Sequence, residues 1–290
     1  MNDYIRKIEN GNLNDVYLLE IDNNKFIIRS SKNINNFEVE VLKKLNKYNL
    51  QVPILLSDLI YNKRYVTILQ YIEGEEPKEL NYNQLEKLAT LIRNLHNVPI
   101  DDLKDNKNQP VESLNILMGY FDKIKNSFYL KRDSEYILKY INAFSKIEFN
   151  KLEKYIIHGD IKKTNMLINE DEVYLIDFGN CYLGNRMIEL IRVIMWIFLK
   201  DSDLDFNKIS FFIHCYFKNN DTTEIELKNL HLLIRYCLVY NIVKDIYLYE
   251  NGELNEKYIK DNDLKWIEIL KDKVLLHEVE EVIKNVSRCS

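Results

Sequence analysis

Between His158 and Asn180 the chain reads HGDIKKTNMLINEDEVYLIDFGN, and this stretch restricts the possible folds more than any other. Met166-Leu167-Ile168 and Val173-Tyr174-Leu175-Ile176 are short apolar runs of strand-forming residues, separated by the polar turn Asn169-Glu170-Asp171-Glu172. A hairpin folded there sets the end of its second strand beside the start of its first. Asp177 and Asn165 become neighbours, and Asp160 lies on the loop that leads into the same end.

Phosphoryl transfer from a nucleotide needs such a grouping of oxygens. Mg²⁺ takes carboxylate and amide oxygens in octahedral geometry and shares the rest of its shell with phosphates and water. Asn165 and Asp177 are suitable ligands. A further carboxylate must accept the proton of the attacking hydroxyl, and Asp160 is placed for that work. The order H-x-D-x-x-x-x-N followed by D-F-G resembles the kinase signature. Asn and Asp also favour turns for purely structural reasons. It is their combination at this spacing, around a hairpin, that points to chemistry. His158 is read as holding the loop by hydrogen bonding.

The rest of the chain divides around this motif. At 290 residues it is long enough for two core-building units of about 100–200 residues each. The first 72 residues read mainly as strands: Asp15 to Ile21 and Lys25 to Ser30 flank a turn at Asp22-Asn23-Asn24, and Val66 to Ile72 supplies another. Between them Phe37, Val41, Leu42 and Leu45 recur at helical spacing. With only seven Gly and four Pro in the chain, Glu73-Gly74-Glu75-Glu76-Pro77 stands out as a connector. Downstream, Leu85, Leu88, Leu91, Ile92 and Leu95 share one helical face. Helical patterns cover 112–148 and return at Met187 to Leu199, Phe206 to Phe217, Glu224 to Tyr249 and Leu264 to Val286, the third opening on the capping box Thr223-x-x-Glu226. The expectation is an α+β chain with an N-terminal unit at 1–72, a hinge at 73–77 and a mainly helical unit at 78–290.

With His158-Gly159-Asp160 in the motif, where protein kinases usually carry Arg in the middle, the chain resembles the aminoglycoside phosphotransferase and choline kinase group of small-molecule kinases. The resemblance implies a bilobal protein-kinase-like fold that uses ATP or GTP and Mg²⁺, with Asp160 as base and Asn165 and Asp177 on the metal. It also implies roles in the first unit. Gly11 to Tyr17 occupies the place of the phosphate-covering loop, with one Gly and no G-x-G-x-x-G. Arg29 stands where the family carries the cation for the α- and β-phosphates, and Glu38 matches the helix glutamate that pairs with it, with Glu40 as a competitor. Gln70 and Ile72 fall at the hinge that binds adenine through backbone groups. His96 and Glu189 are read as structural, Glu189 standing where the family often has Asp.

Composition narrows the partners. A net charge of −5 and scattered basic residues exclude a nucleic-acid surface. The longest apolar segment, Leu190 to Leu199, is broken by Arg192 and is too short for a membrane span. Four separated cysteines without a C-x-x-C fit a reducing cytoplasm. An acidic chain suits a cationic small-molecule acceptor. Aminoglycoside-like compounds are placed slightly ahead of homoserine, choline, thiamine or a sugar. The 20 tyrosines are assigned mainly to packing, and the acidic run Asp201, Asp203, Asp205 to a solvated turn. A protein kinase is disfavoured because the chain passes quickly from Asp177 into a helix, and a non-catalytic pseudokinase because Asp160, Asn165 and Asp177 are all present.

Overall fold

A computed structural model of the chain describes residues 4–8, 15–31, 36–103, 113–200, 203–218 and 221–287. The chain forms two compact units: Met1–Asn106 with Tyr155–Leu183, and Lys107–Lys154 with Gly184–Ser290.

The first unit is built on a five-stranded antiparallel sheet of β1 (Tyr4–Ile8), β2 (Asp15–Ile21), β3 (Asn24–Ser31), β4 (Leu55–Tyr61) and β5 (Arg64–Gln70), in the order β1-β2-β3-β5-β4. Two tight turns set its register. Asp22 and Asn23, and again Asn62 and Lys63, all have positive φ, the conformation of two-residue hairpin loops whose twist matches that of the strands. β3 is therefore central, and its Arg29 lies opposite Val16 on one side and Thr67 on the other. β1 and β4 are strands the sequence reading did not pick out. Both lie at sheet edges and are largely exposed, so neither needs the apolar alternation that marks a half-buried strand.

Helix α1 (Asn36–Lys47) buries Phe37, Val41, Leu42 and Leu45, the face expected from their spacing, and packs on β4. Each such side chain contributes about 1.5–3 kcal/mol by leaving water. Helix α2 (Tyr82–His96) starts at a capping box between Asn81 and Gln84 and buries Leu85, Leu88, Leu91, Ile92 and Leu95. It packs against two of the short strands that follow, β6 (Tyr155–Ile157), β7 (Met166–Asn169), β8 (Glu172–Leu175) and β9 (Tyr182–Gly184), namely β6 and β8. β6 pairs with β9, and β7 with β8.

The connector between sheet and α2 is pinned to this hairpin. Glu75 and Ile168 exchange both backbone hydrogen bonds, at 3.0 and 2.9 Å. A side chain on Gly74 would come within 2.9 Å of the Ile168 carbonyl oxygen, so the close approach needs glycine. We keep 73–77 as the proposed junction of the two lobes. The first compact unit extends past it to include α2 and 155–183.

The second unit is helical: α3 (Leu114–Ile124), α4 (Ser134–Ala143), α5 (Arg186–Val193), α6 (Phe206–Phe217), α7 (Glu224–Glu250), α8 (Glu256–Tyr258), α9 (Leu264–Lys271) and α10 (Lys273–Ser287). α7 is its axis, packed by α3, α4, α5, α9 and α10 and buried on all sides along its middle, with Tyr236 and Tyr240 in the core. Its capping box is the one legible in the sequence, and Glu226 does double duty. Arg186 donates to both Glu226 carboxylate oxygens, at 2.9 and 3.0 Å, with both residues buried. Burial works to raise the Glu226 carboxyl, but Arg186 and Thr223 hold it below the usual carboxylate range.

Two expected helices end differently. The segment Met187 to Leu199 is α5 followed by a π-helical turn, Ile194–Phe198. Leu264 to Val286 divides at Asp272, whose carboxylate accepts from the N–H groups of Val274 and Leu275 and so starts α10 as a cap. No helix among the described residues is long and apolar enough to cross a membrane.

Asp263, which ends a second π-helical turn (Ile259–Asp263), is fully buried, and neither carboxylate oxygen has a hydrogen-bond partner among the described residues. Burial, with the Asp245 carboxylate adding to it, pushes its pKa up to about 9. The folded chain then holds a proton that the unfolded chain releases near pH 4. Stability from this group is full below that pH and is lost as pH rises toward 9. Asp263→Asn should therefore raise the melting temperature at pH 8 and leave it nearly unchanged at pH 4, in thermal melts recorded at both.

Candidate active site

The loop entering β7 is shaped by one glycine and one histidine. Gly159 has φ +81, and a Cβ there would collide with the Asn180 carbonyl oxygen, so no larger residue fits. The His158 Nε2–H donates to the Ile176 carbonyl at 3.0 Å, while its Nδ1 accepts from the Asp160 N–H at 3.3 Å. The two contacts together fit one tautomer. His158 is fully buried against Phe178, with ring centroids 4.5 Å apart. It holds the loop, as its place in the sequence leads one to expect.

The β7–β8 register pairs Met166 with Leu175, and one further hydrogen bond runs from the Ile176 N–H to the Asn165 carbonyl at 3.0 Å. The hairpin thus carries Asn165 and Asp177 to one end. The Asn165 amide nitrogen donates to the Asp160 carbonyl at 2.8 Å and to Asp160 Oδ2 at 2.9 Å. This turns the amide oxygen of Asn165 away as the remaining acceptor. Asp177 takes a left-handed conformation, φ 64 and ψ 71, which Asp tolerates better than most residues, and its Oδ1 accepts from the Gly179 N–H.

Arg29 reaches the same end from β3. It forms an ion pair with Glu38 of α1 and a second with Asp177 Oδ1 at 3.2 Å. Glu40, the competing candidate, is exposed. Burial works against the Arg29 charge, but Glu38 and Asp177 more than offset it and raise the pKa, so the guanidinium stays charged. Burial pushes the Glu38 carboxyl up, and Arg29 offsets only part of that. The Arg29 charge is the firmer of the two.

The other positions read from the sequence are distributed as follows. Gln70 closes β5, its N–H taken by the Ile54 carbonyl at 2.8 Å; Ile72 follows, with no partner among the described residues. Residues 11–14 of the Gly11 to Tyr17 loop lie outside the described residues. His96 and Glu189 are buried. An acidic cavity of about 780 Å³ is lined by Tyr71, linker residues 73–79, Gln84 and the turn of the β7–β8 hairpin, and contains none of Arg29, Asp160, Asn165 or Asp177. One neighbour of the motif is absent from the residues singled out in the sequence: Lys162, whose ammonium lies 2.9 Å from Asp160 Oδ2. Its signal was its position, next but one to the carboxylate.

Among the described residues no three His, Cys, Asp or Glu side chains cluster as a metal site. One carboxylate and one amide oxygen at the end of a hairpin suit instead a hard cation that a phosphate-bearing ligand helps to hold. The profile of the phosphotransferase enzyme family matches residues 5–209. The chain belongs to that family. A LicA homolog of Mycoplasma capricolum is 28% identical over 188 residues, 65% of this chain and 71% of that protein. Among solved structures, spectinomycin phosphotransferase in complex with ADP and spectinomycin aligns over 99% of this chain and 94% of that one, with a TM-score of 0.65 and 15% identity. Choline kinase LicA from Streptococcus pneumoniae aligns over 92% and 93%, with a TM-score of 0.64 and 14% identity. The fold is the bilobal α+β fold of these kinases, and the chain is a phosphotransferase.

The Arg29 pairing separates the two glutamates of α1 experimentally. Glu38→Gln should lower kcat/KM for the nucleotide about tenfold or more, since it removes a charge-assisted contact of about 1.5–3 kcal/mol. Glu40→Gln should match wild type. Steady-state kinetics of the two variants, side by side, checks this.

Proposed function

We propose that the protein is an ATP-dependent kinase that phosphorylates the hydroxyl of a small amino alcohol of the choline class. The observation that carries the kinase reading is the hydrogen bonding of Asp160: Oδ2 is held by Asn165 and Lys162, while Oδ1 has no partner among the described residues. Oδ1 is then the atom that accepts the acceptor's hydroxyl proton as the oxygen attacks the γ-phosphorus. Arg29, kept charged by Glu38, takes the α- and β-phosphates. Asn165 Oδ1 and the Asp177 carboxylate would hold magnesium, which would supply positive charge to the transferring phosphoryl group. With the Gln70 N–H committed to Ile54, the Gln70 carbonyl and the Ile72 backbone would receive the base of ATP or GTP.

For the acceptor, kinship to a LicA homolog, together with a fold shared with a choline kinase LicA, supports an amino alcohol over the aminoglycoside-like compounds that the sequence reading placed slightly ahead. The net charge of −5 agrees with a cationic substrate of either kind. The shared fold with spectinomycin phosphotransferase supports the second reading, an aminocyclitol or aminoglycoside acceptor.

The test is ADP release with Mg²⁺ across choline, ethanolamine, homoserine, thiamine, sugars and aminoglycosides. Turnover confined to the antibiotics overturns the amino-alcohol assignment, and failure to bind Mg·ATP overturns the kinase reading. Asp160→Asn should cut kcat by about 10²–10⁴-fold with nucleotide affinity preserved. Asp177→Ala should abolish Mg-dependent nucleotide binding or turnover, measured by calorimetry and kinetics.

A further inference from the structure

The two lysines that follow the motif carboxylate go different ways. Lys163 donates to the Lys78 carbonyl at 2.8 Å and ties the loop to the segment after the connector. Lys162 turns toward Asp160 and donates to Oδ2 at 2.9 Å, the same oxygen that takes the Asn165 amide. The Asp160 side chain is 20% exposed and that of Lys162 37%, so this is neither a fully solvated pair nor a desolvated one.

A carboxylate turns easily about its last bond, and its two oxygens are chemically equivalent. Fixing which of them faces a substrate takes more than one anchor. The Asn165 amide supplies one and is itself oriented by the Asp160 backbone carbonyl. The Lys162 ammonium supplies a second, charge-assisted and therefore stronger contact to the same atom. With both in place, Oδ2 is occupied twice and Oδ1 is left alone to meet a hydroxyl. The backbone supports this arrangement, because Gly159 and His158 fix the loop from the other side.

We propose that Lys162 is a positioning residue for Asp160: by holding Oδ2 it presents Oδ1, and only Oδ1, to the acceptor. The proposal rests on Asp160 being the base and adds the group that aims it. Misplacing a reacting atom by about 1 Å costs on the order of 10²-fold, which sets the scale of the effect.

The experiment is a double-mutant cycle on the full chain, read as ADP release with the acceptor that is turned over, or with water as acceptor where no alcohol is, alongside calorimetric binding of Mg·ATP. Lys162→Met should lower kcat about 10–100-fold, with the Kd for Mg·ATP within about threefold of wild type. Lys162→Arg should recover most of the loss, because it restores a charged donor. In the Asp160→Asn background, Lys162→Met should have little further effect, since its action passes through the carboxylate. An unchanged kcat in Lys162→Met, no rescue by Arg, effects that add in the double variant, or a loss of Mg·ATP affinity in step with kcat would each overturn the proposal. Wild-type protein that neither binds Mg·ATP nor releases ADP would instead overturn the kinase reading, so the two failures are distinct. Lys162→Arg, with its retained charge, also controls for folding if the Met variant melts early.

Discussion

The hydrogen bond from the Ile176 N–H to the Asn165 carbonyl is the constraint on which the site depends. It extends the β7–β8 ladder by one step beyond the last paired residues, and that step converts two positions far apart in the motif into neighbours. His158 then reads out the same spot by donating to the Ile176 carbonyl, so both polar groups of one peptide-bonded residue are committed to holding the loop against the hairpin. Arg29 binds Asp177 from β3, and Glu38 of α1 holds Arg29. Sheet, helix and hairpin are joined through these few groups.

How much of this could be read in advance follows from where the information lies. The hairpin was legible because its strands are apolar and its turn polar, and because two-residue turns leave few choices of register. Asp160, Asn165 and Asp177 came from the spacing of the motif and Arg29 and Glu38 from the family resemblance, and the structure places all five at one end of the first unit. The resemblance already favoured Glu38 over Glu40, and seating the helix shows why the two differ: Glu38 is buried against Arg29 and Glu40 is exposed. Lys162 is not legible in the sequence, because only the direction of its side chain distinguishes it from Lys163.

The helical unit shows the same division. Thr223 and Glu226 announced the start of α7 through local spacing, whereas the use of Glu226 as the buried partner of Arg186 depends on a contact between distant segments. The break at Asp272 is a local cap hidden inside a pattern whose apolar period continues across it. The π-helical turns at Ile194–Phe198 and Ile259–Asp263 are single turns, too short to stand out in a periodicity read over about 11–18 residues.

Gly159 has a consequence for how such a chain can change. Its backbone is left-handed, and the Asn180 carbonyl occupies the space of its missing side chain, so the arginine found there in protein kinases cannot be introduced without displacing the segment that carries Asp177. A single substitution at this position would disturb the loop that carries Asp160 and the segment that carries Asp177 together. Arginine at 159 would therefore require the two loops to rearrange together. The glycine works as a latch between the two loops, so that neither can be reshaped by a change at 159 alone.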